Sequence, residues 1–382
     1  MELRFSVYNS VADLPIKWSE YIKDDSVCKG IDIIEKSNLP DLKNLYVVTF
    51  LQNEPVFASY FQLLTVKPHH FNISNRKFQQ RLLSTALRIV KPTLLVSGNL
   101  FRHDMLFYYF INNELSVELK QRIYKATNDY IIDYTNCSGI FLKDVSASMS
   151  HILEADESLI NMPDDVSMEI ILPKHWQSFQ DYEKDLKHKY LQRCRKIRKS
   201  LEQIEIKEFN QELILQYSEE MERLYLQVTQ KQLVSMGKIN GQFFIELKNT
   251  LKESFKVCGF FIDGKLIAFS SAILHHDEYD MNYIGFDYAY NQSHSLYFNI
   301  LFHCLESSIK HGSQKLILGR TALEAKAILG CQPDYRFSYY KLRNVVVNWF
   351  YKRVASYFRE AQGEKWKDRH PFKSAFYENI KI

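Results

Sequence analysis

Apolar residues recur along the chain with the two-residue period of strands and the three-to-four-residue period of helices, and the order of predicted elements occurs twice. In the first half, the apolar runs 45–51 (LYVVTFL) and 56–66 (VFASYFQLLTV) are separated by Gln-Asn-Glu-Pro, which predicts a hairpin. The elements predicted after it are a strand at 93–96, an apolar run at 105–111, a helix at 114–134, a strand at 139–142 and a helix at 148–159.

The second half repeats this order behind three helices. Its hairpin joins 256–262 to 265–274 through Asp263-Gly264, a strong turn signal between apolar runs. The repetition predicts a mixed α/β (α+β) fold of two tandem domains, residues 1–165 and 166–382, which meet at the turn-forming cluster 161–165 (NMPDD). The other elements predicted here are helices at 176–203, 211–230, 241–253, 295–311 and 323–329, the last ending at Gly330, and strands at 281–290, 315–318 and 336–342.

Composition narrows the class of protein. The chain has 382 residues, of which 46% are hydrophobic and 25% charged, as in ordinary globular proteins. A net charge of +4 is too small to indicate a nucleic-acid-binding domain by itself. The six cysteines form no C-x-x-C pair, and the histidine pairs at 69–70 and 275–276 lack a fitting third ligand, so we predict no metal. No run approaches the ~18 apolar residues of a membrane span, and we expect a cytoplasmic protein, with peripheral membrane contact left open.

The predicted strand 281–290 holds a carboxylate in an apolar context. Alternation places Tyr283, Gly285 and Asp287 on one face of the strand. A carboxylate is costly to bury unless it is paired or functional, so Asp287 is a candidate general base. The alternative is that Asp287 caps a turn or pairs with Arg320. Gly285 either leaves room for a ligand or marks a bulge.

Two polar segments each follow a predicted strand and lie at the start of a predicted helix. Residues 291–297 (NQSHSLY) contain Ser293, His294 and Ser295 before a helix, where backbone N–H groups can bind phosphate; plain capping by serine is the alternative. Residues 319–326 (GRTALEAK) follow a strand end, where ligands of α/β sheets bind. In this segment Arg320 and Lys326 are candidates to bind a phosphate or carboxylate, and a structural salt bridge is the alternative. Thr321 and Glu324 have capping-box spacing.

The segment 184–199 is a basic amphipathic helix. Its apolar stripe leaves Lys189, Arg193 and Lys196 along one flank. This positive surface suits the phosphates of a cofactor, a tRNA or an anionic lipid surface, and a solvated helix face is the alternative. The stripe consists of Tyr182, Leu186, Tyr190, Cys194, Ile197 and Leu201.

The order of elements and several motifs resemble the GNAT N-acyltransferase fold, and in particular the tandem GNAT proteins of the Fem-like and BioF2-like group. The resemblance spans nearly the whole chain. It is carried by residues 283–288 (YIGFDY), Leu296-Tyr297, residues 318–324 with Lys326 and Gly330, by Trp176, Tyr182, Lys189-Tyr190 and Arg193, and by residues 95–101 (LVSGNLF) and 366–373 (WKDRHPFK).

The resemblance implies an enzyme that transfers an acyl group from an acyl-CoA donor to a small-molecule or lipid-like amine, in a cleft beside strand 281–290. It implies a silent first half, because Asp144 and Met149 stand where the second half has Arg320 and Lys326. Its implied catalytic residues are Asp287, Tyr283 and Tyr297, its cofactor contacts are Ser293, His294, Ser295, Arg320, Thr321 and Lys326, and its substrate contacts are Lys189, Arg193, Lys196, Asn99 and Glu324.

One departure from the GNAT pattern keeps other functions open. The usual pyrophosphate loop is rich in glycine, whereas residues 291–296 contain none. An aminoacyl-tRNA donor, as in Fem-like transferases, is therefore a second hypothesis. A non-catalytic GNAT-fold protein that binds an anionic or lipidic partner is the third.

Overall fold

The computed structural model describes residues 2–21, 25–72, 77–101, 108–112, 114–145, 150, 153, 156–232, 234–349 and 367–379. Its contacts divide the chain into two compact units. Unit 1 comprises Met1–Asp165, Gln232–Ile239 and Arg336–Gly363, and unit 2 comprises Val166–Lys231, Asn240–Tyr335 and Glu364–Ile382.

Unit 1 is a mixed sheet with a long helix across it. The sheet order is β1-β2-β3-β4-β6-β13, with β5 also paired to β3; β4 and β6 are parallel and the other neighbours antiparallel. Its strands are β1 Leu3–Tyr8, β2 Leu42–Leu51, β3 Glu54–Thr65, β4 Thr93–Ser97, β5 Tyr108–Phe110, β6 Gly139–Val145 and the part of β13 (Gln332–Leu342) that lies in this unit, and its helices are α1 Trp18–Tyr21, α2 Asp25–Lys36, α3 Lys77–Val90 and α4 Val117–Thr135, with short 3-10 turns at Val11–Asp13 and Pro68–His70.

Unit 2 repeats the arrangement. Its sheet order is β7-β12-β11-β10-β9-β8, with β11 and β12 parallel and the other neighbours antiparallel. Its strands are the latter part of β7 (Ile160–Ile171), β8 Glu205–Glu208, β9 Phe255–Ile262, β10 Lys265–His275, β11 Glu278–Phe286 and β12 Lys315–Gly319, and its helices are α5 Phe179–Asp185, α6 His188–Arg198, α7 Gln211–Thr229, α8 Gly241–Leu251, α9 Tyr288–His294, α10 Leu296–His311, α11 Leu323–Leu329 and α12 Ser374–Asn379, with 3-10 turns at Lys199–Gln203 and Lys252–Ser254.

Two strands, β7 and β13, lie at the boundaries between the two units. β7 runs through the predicted domain boundary, and its residues 168–171, which belong to the second half, pair with β12 in unit 2, where Ile171 lies opposite Lys315. β13 lies in the second half of the sequence but pairs with β6 in unit 1, where Leu342 lies opposite Gly139. Residues 336–349, predicted for the second domain, therefore belong to unit 1.

Three sequence predictions about elements are wrong. The cluster 161–165 is not a turn, because β7 runs through it. The predicted helix 176–203 is interrupted at Leu186, whose backbone bridges to Phe372, while the Lys187 N–H donates to Pro371 O at 2.8 Å. The predicted strand 281–290 ends at Phe286, and α9 follows it. Most of the predicted helix 148–159, much of the run 105–111, Met149 and Trp366 lie outside the described residues.

The core of unit 2 lies between its sheet and α10. The helix predicted at 295–311 is confirmed, and its buried face carries Leu301, Cys304 and Leu305 at helical spacing. Gly312, with φ of 76°, ends the helix in the left-handed region that glycine tolerates. This packing holds the N-terminus of α10 at the end of the sheet where β11 and β12 finish.

Candidate active site

β11 and β12 separate before they end. Their parallel pairing covers three residue pairs and stops at Asp280 and Ile317, whereas β11 continues to Phe286 and β12 to Gly319. The separation leaves a gap lined by backbone N–H and C=O groups of β11, which need partners when water is excluded. In unit 1 the equivalent strands stay paired through Ser97, the last residue of β4. The gap in unit 2 therefore begins after Asp280 of β11.

Asp287 follows the last residue of β11. Its Oδ1 accepts a hydrogen bond from the Ala289 N–H at 3.0 Å, so the side chain caps α9. Its Oδ2 lies 3.8 Å from Lys265 Nζ, and the side chain is 17% exposed. Oδ1 therefore caps a helix, in line with the capping alternative from the sequence, while Oδ2 faces Lys265. Its role as a base stays a prediction.

Tyr283 and Gly285 both lie against α7, and Tyr283 also packs on α8. The Tyr283 ring is 7% exposed and packs against Tyr225 and Phe243 at ring-centroid distances of 6.0 Å and 5.5 Å. A Cβ built on Gly285 would lie 2.6 Å from the backbone of Leu224. A close helix approach therefore requires glycine here and leaves no space for a ligand. The predicted bulge lies next to this position, because the register of β11 against β10 shifts between Met281 and Ile284.

The segment between α9 and α10 forms the N-terminus of α10. Ser295 occupies the N-cap position but has φ of 47° and caps with no side-chain hydrogen bond, so serine capping is wrong there. Asn291 Oδ1 instead accepts from the Tyr297 N–H at 3.0 Å. Ser293 is exposed, its Oγ lies 2.8 Å from His294 Nδ1, and the His294 carbonyl accepts from Ser200 Oγ at 2.7 Å.

The segment after β12 differs from its sequence prediction. Ala322, in the left-handed region, is the N-cap residue of α11 and makes no side-chain cap, so the predicted capping box of Thr321 and Glu324 is wrong. Glu324 pairs with Arg369 instead, and this guanidinium lowers the pKa of its carboxyl. Lys326 is only 2% exposed and donates to Gly319 O at 3.0 Å, so its ammonium supports the turn that carries Arg320.

The basic helix α6 exposes Lys189, Arg193 and Lys196, as predicted. The Arg193 guanidinium lies 5.0 Å from the ring centroid of Phe298, the third residue of α10. After Arg369, Lys367 and then Arg193 also contribute to lowering the pKa of Glu324. The first turns of α10 and α11 are therefore flanked by cations. None of the helices in the described ranges combines the length and apolar character that a membrane crossing needs.

Arg369 is a site residue that sequence reasoning missed. It pairs with Glu324 and contacts the phenol of Tyr190, although these residues are far apart in sequence. The signal was present, because Arg369 belongs to the segment 366–373 that carries the family resemblance. Asn99 lies in unit 1 and is buried; its Oδ1 accepts from the Phe101 N–H at 2.7 Å, and its Nδ2 makes no hydrogen bond.

The histidine pair 69–70 does have a third candidate ligand, contrary to the sequence analysis. Asp41 comes within 4.8 Å of ligand atoms of both histidines, and its Oδ2 lies 3.0 Å from His69 Nε2. Lys67 already pairs with Asp41, and His70 Nδ1 accepts the Lys67 N–H at 2.9 Å, which places the ring proton on Nε2 in the neutral imidazole. The donor set therefore suits a metal poorly, and the predicted lack of a metal stays a prediction.

Comparisons with solved structures show the fold. No family model and no curated protein matches the sequence. A tandem GNAT protein from the clavulanic acid biosynthesis pathway matches 89% of this chain and 98% of its own, with 10% identity and a TM-score of 0.51. The match to FemX covers 85% of this chain and 98% of FemX, with 7% identity and a TM-score of 0.45. The match to L-PGS from Bacillus licheniformis covers 89% of this chain and 98% of L-PGS, with 10% identity and a TM-score of 0.44.

The first of these matches confirms the predicted fold class. The chain is a mixed α/β protein with two tandem GNAT-like domains. The narrower assignment to the Fem-like and BioF2-like group stays a prediction.

Proposed function

We propose that unit 2 is an N-acyltransferase that moves an acyl group from an acyl-CoA to an amine. The observation that carries the proposal is the gap between β11 and β12 beside the cations of the α10 N-terminus. An extended pantetheine-like arm can pair with the exposed backbone of β11, as a strand does. Arg193 and Arg369 suit the phosphates of the carrier.

The chemistry needs a proton acceptor and donors for the carbonyl oxygen. The neutral amine attacks the thioester carbon, the C–N bond forms, the C–S bond breaks and the thiolate leaves with a proton. We assign Asp287 to accept the ammonium proton, directly or through water, because its Oδ2 makes no cap contact. Backbone N–H groups of β11 in the gap, with Tyr297 on the first turn of α10, would polarise the carbonyl.

The cofactor contacts proposed from the sequence divide into two groups. Ser293, His294 and Ser295 lie at the start of α10, beside the proposed phosphate position. Arg320 and Thr321 lie in the turn after β12, on the other side of the gap. Lys326 is buried, so we assign it a positioning role: its hydrogen bond to Gly319 fixes the turn that presents Arg320.

An aminoacyl-tRNA donor is the second candidate. The exposed flank of α6 supports it, because Lys189 and Lys196 extend the cationic surface beyond the few phosphates of coenzyme A. Two other cations of this helix are already paired, Arg195 with Glu183 and Arg198 with Glu306, at 3.4 Å and 2.8 Å. The same flank also suits an anionic membrane surface that presents a lipid-like amine.

Thermal unfolding of the full chain with acetyl-CoA, a long-chain acyl-CoA and free CoA tests the proposal. A ligand at ~100 times its dissociation constant stabilises a protein by ~2.7 kcal/mol, which is a readily measured shift. We expect a shift that Arg193→Ala weakens and that is largest for the preferred acyl chain. Absence of a shift with all three would overturn the acyl-CoA donor, and binding of aminoacyl-tRNA would then favour the second candidate.

A further inference from the structure

Unit 1 contains a cavity of about 330 Å³ beside α4 and β6. This volume is at the lower end of the range for small-molecule sites, roughly 300–1,000 Å³, and accommodates one small ligand. Its base is apolar and well packed, so the space is a formed feature of the unit. The base consists of Tyr124, Ile132, Ile140, Leu142 and Leu153, each at most 5% exposed.

The rim of this cavity carries as many cations as carboxylates. Lys125 connects two carboxylates, with its Nζ 3.2 Å from Asp156 and 3.4 Å from Asp129. Asp129 also lies 2.9 Å from Lys341. A balanced rim does not favour a net anion such as a fatty acid or a phosphate ester, because complementary charge determines specificity. The charged lining residues are Arg122, Lys125 and Lys341, and Glu118, Asp129 and Asp156.

Asp156 is held rigidly at this rim. Its Oδ1 accepts from the N–H and the hydroxyl of Ser158, at 3.0 Å and 2.5 Å, and its Oδ2 faces Lys125. Burial acts to raise the pKa of its carboxyl, but the Ser158 hydrogen bonds and Lys125 outweigh burial and lower it. The carboxylate is therefore ionised and fixed at neutral pH, as a preorganised acceptor for an ammonium group. Lys125, by contrast, is 54% exposed and can turn toward a ligand.

We infer that this cavity binds the zwitterion of an α-amino acid with a large apolar side chain. The apolar side chain fills the base between Ile140 and Leu142. The α-ammonium group of the ligand pairs with Asp156 and Asp129 in place of Lys125. Lys125 is then free to pair with the α-carboxylate of the ligand. Binding thus exchanges the ion pairs within the rim for ion pairs with the ligand, and the net charge of the rim is balanced in both states. The favourable free energy comes from burial of the ligand's apolar side chain, at about 25 cal/mol per Å² of apolar surface.

This site binds without chemistry and is independent of the proposed acyl transfer. All its lining residues belong to unit 1. The gap between β11 and β12, by contrast, lies in unit 2. Loss of amino-acid binding and loss of acyl-CoA binding are separate results.

Isothermal titration of the full chain with L-leucine and L-phenylalanine tests the inference. N-acetyl-leucine lacks the ammonium group, leucine amide lacks the carboxylate, and 4-methylpentanoate is an anion of similar shape. We expect at least one of the two amino acids to bind and each analogue to bind at least tenfold more weakly. Binding of 4-methylpentanoate or N-acetyl-leucine as tightly as the amino acid, or no binding of either amino acid, would overturn the inference.

Variants locate the binding within the cavity. Asp156→Asn removes the ammonium partner and Ile140→Phe fills the base, and each should weaken binding at least tenfold with the circular dichroism spectrum unchanged. Lys120→Met is the matched control, because Lys120 lies on another face of α4, over the Phe110 ring at 5.6 Å. Binding that survives in both cavity variants, or that Lys120→Met weakens equally, would place the ligand elsewhere. If Ile140→Phe does not fold, Asp156→Asn and the analogue series decide alone.

Discussion

Gly285 lies directly against the backbone of Tyr225. A Cβ built on Gly285 would come 2.6 Å from the Tyr225 nitrogen, closer than real Cβ atoms approach. The strand that carries Asp287 is therefore seated on α7 by backbone contact, without an intervening side chain. This contact fixes the position of the end of β11 relative to α7, and with it the position of Asp287, which caps α9.

Gly285→Ala should destabilise the protein strongly. Neither the helix backbone nor the strand can yield, so we expect the free energy of unfolding to fall by about 2–3 kcal/mol or more, in the upper range for overpacked cores. Differential scanning calorimetry measures this. Gly241→Ala is the control, because its Cβ would lie 3.1 Å from the Ser218 backbone, a tight contact that small shifts relieve. Equal losses in both variants would contradict the argument.

The sequence predicts elements well where the signal is local. Asp263-Gly264 locates the hairpin of β9 and β10, and the predicted helix 323–329 with Gly330 agrees with α11. The pairing of β13 in unit 1 has no local signal, because its apolar pattern fits either sheet. The break at Leu186 depends on Phe372, which is distant in sequence, and so does the pairing of Glu324 with Arg369. Contacts of this kind require the folded chain.

His303 should make the protein less stable at acid pH. Burial lowers the pKa of this imidazole to about 4 from 6.5, and its buried Nδ1 makes no hydrogen bond. Above pH 6.5 the ring is neutral in both states. Below 6.5 the unfolded chain binds a proton that the folded chain does not, so the free energy of unfolding falls by about 1.4 kcal/mol per pH unit until about pH 4.

His303→Phe removes this contribution and should flatten the dependence of the unfolding midpoint on pH between 6.5 and 4.5. The exposed His311 on the same helix provides the control, since His311→Phe should leave the slope as in the unchanged protein. His70 in unit 1, whose pKa burial also lowers to about 4, keeps part of the dependence in both variants. An unchanged slope in His303→Phe would refute the assignment.

Arg193→Ala should weaken acyl-CoA binding about tenfold, or about 1.4 kcal/mol, because it removes a phosphate partner beside the α10 N-terminus. Lys207→Ala is matched to it: Lys207 is another cation over an aromatic ring, 5.1 Å from Phe261. Titration calorimetry at two salt concentrations measures both variants. We expect the salt dependence of binding to decrease only in Arg193→Ala. Equal effects of the two variants would indicate a nonspecific charge effect.

Asp287→Asn separates the two roles of this residue. Asparagine is as good an N-cap as aspartate, and its Oδ1 can still accept the Ala289 N–H, so the unfolding midpoint should change little. If Asp287 accepts the ammonium proton, turnover should fall by about 10²- to 10⁴-fold at saturating donor, with donor affinity retained. Asp287→Ala should lose both turnover and stability, because the cap is lost as well. Full turnover in Asp287→Asn would reduce Asp287 to a capping residue and leave the base to another group at the end of β11.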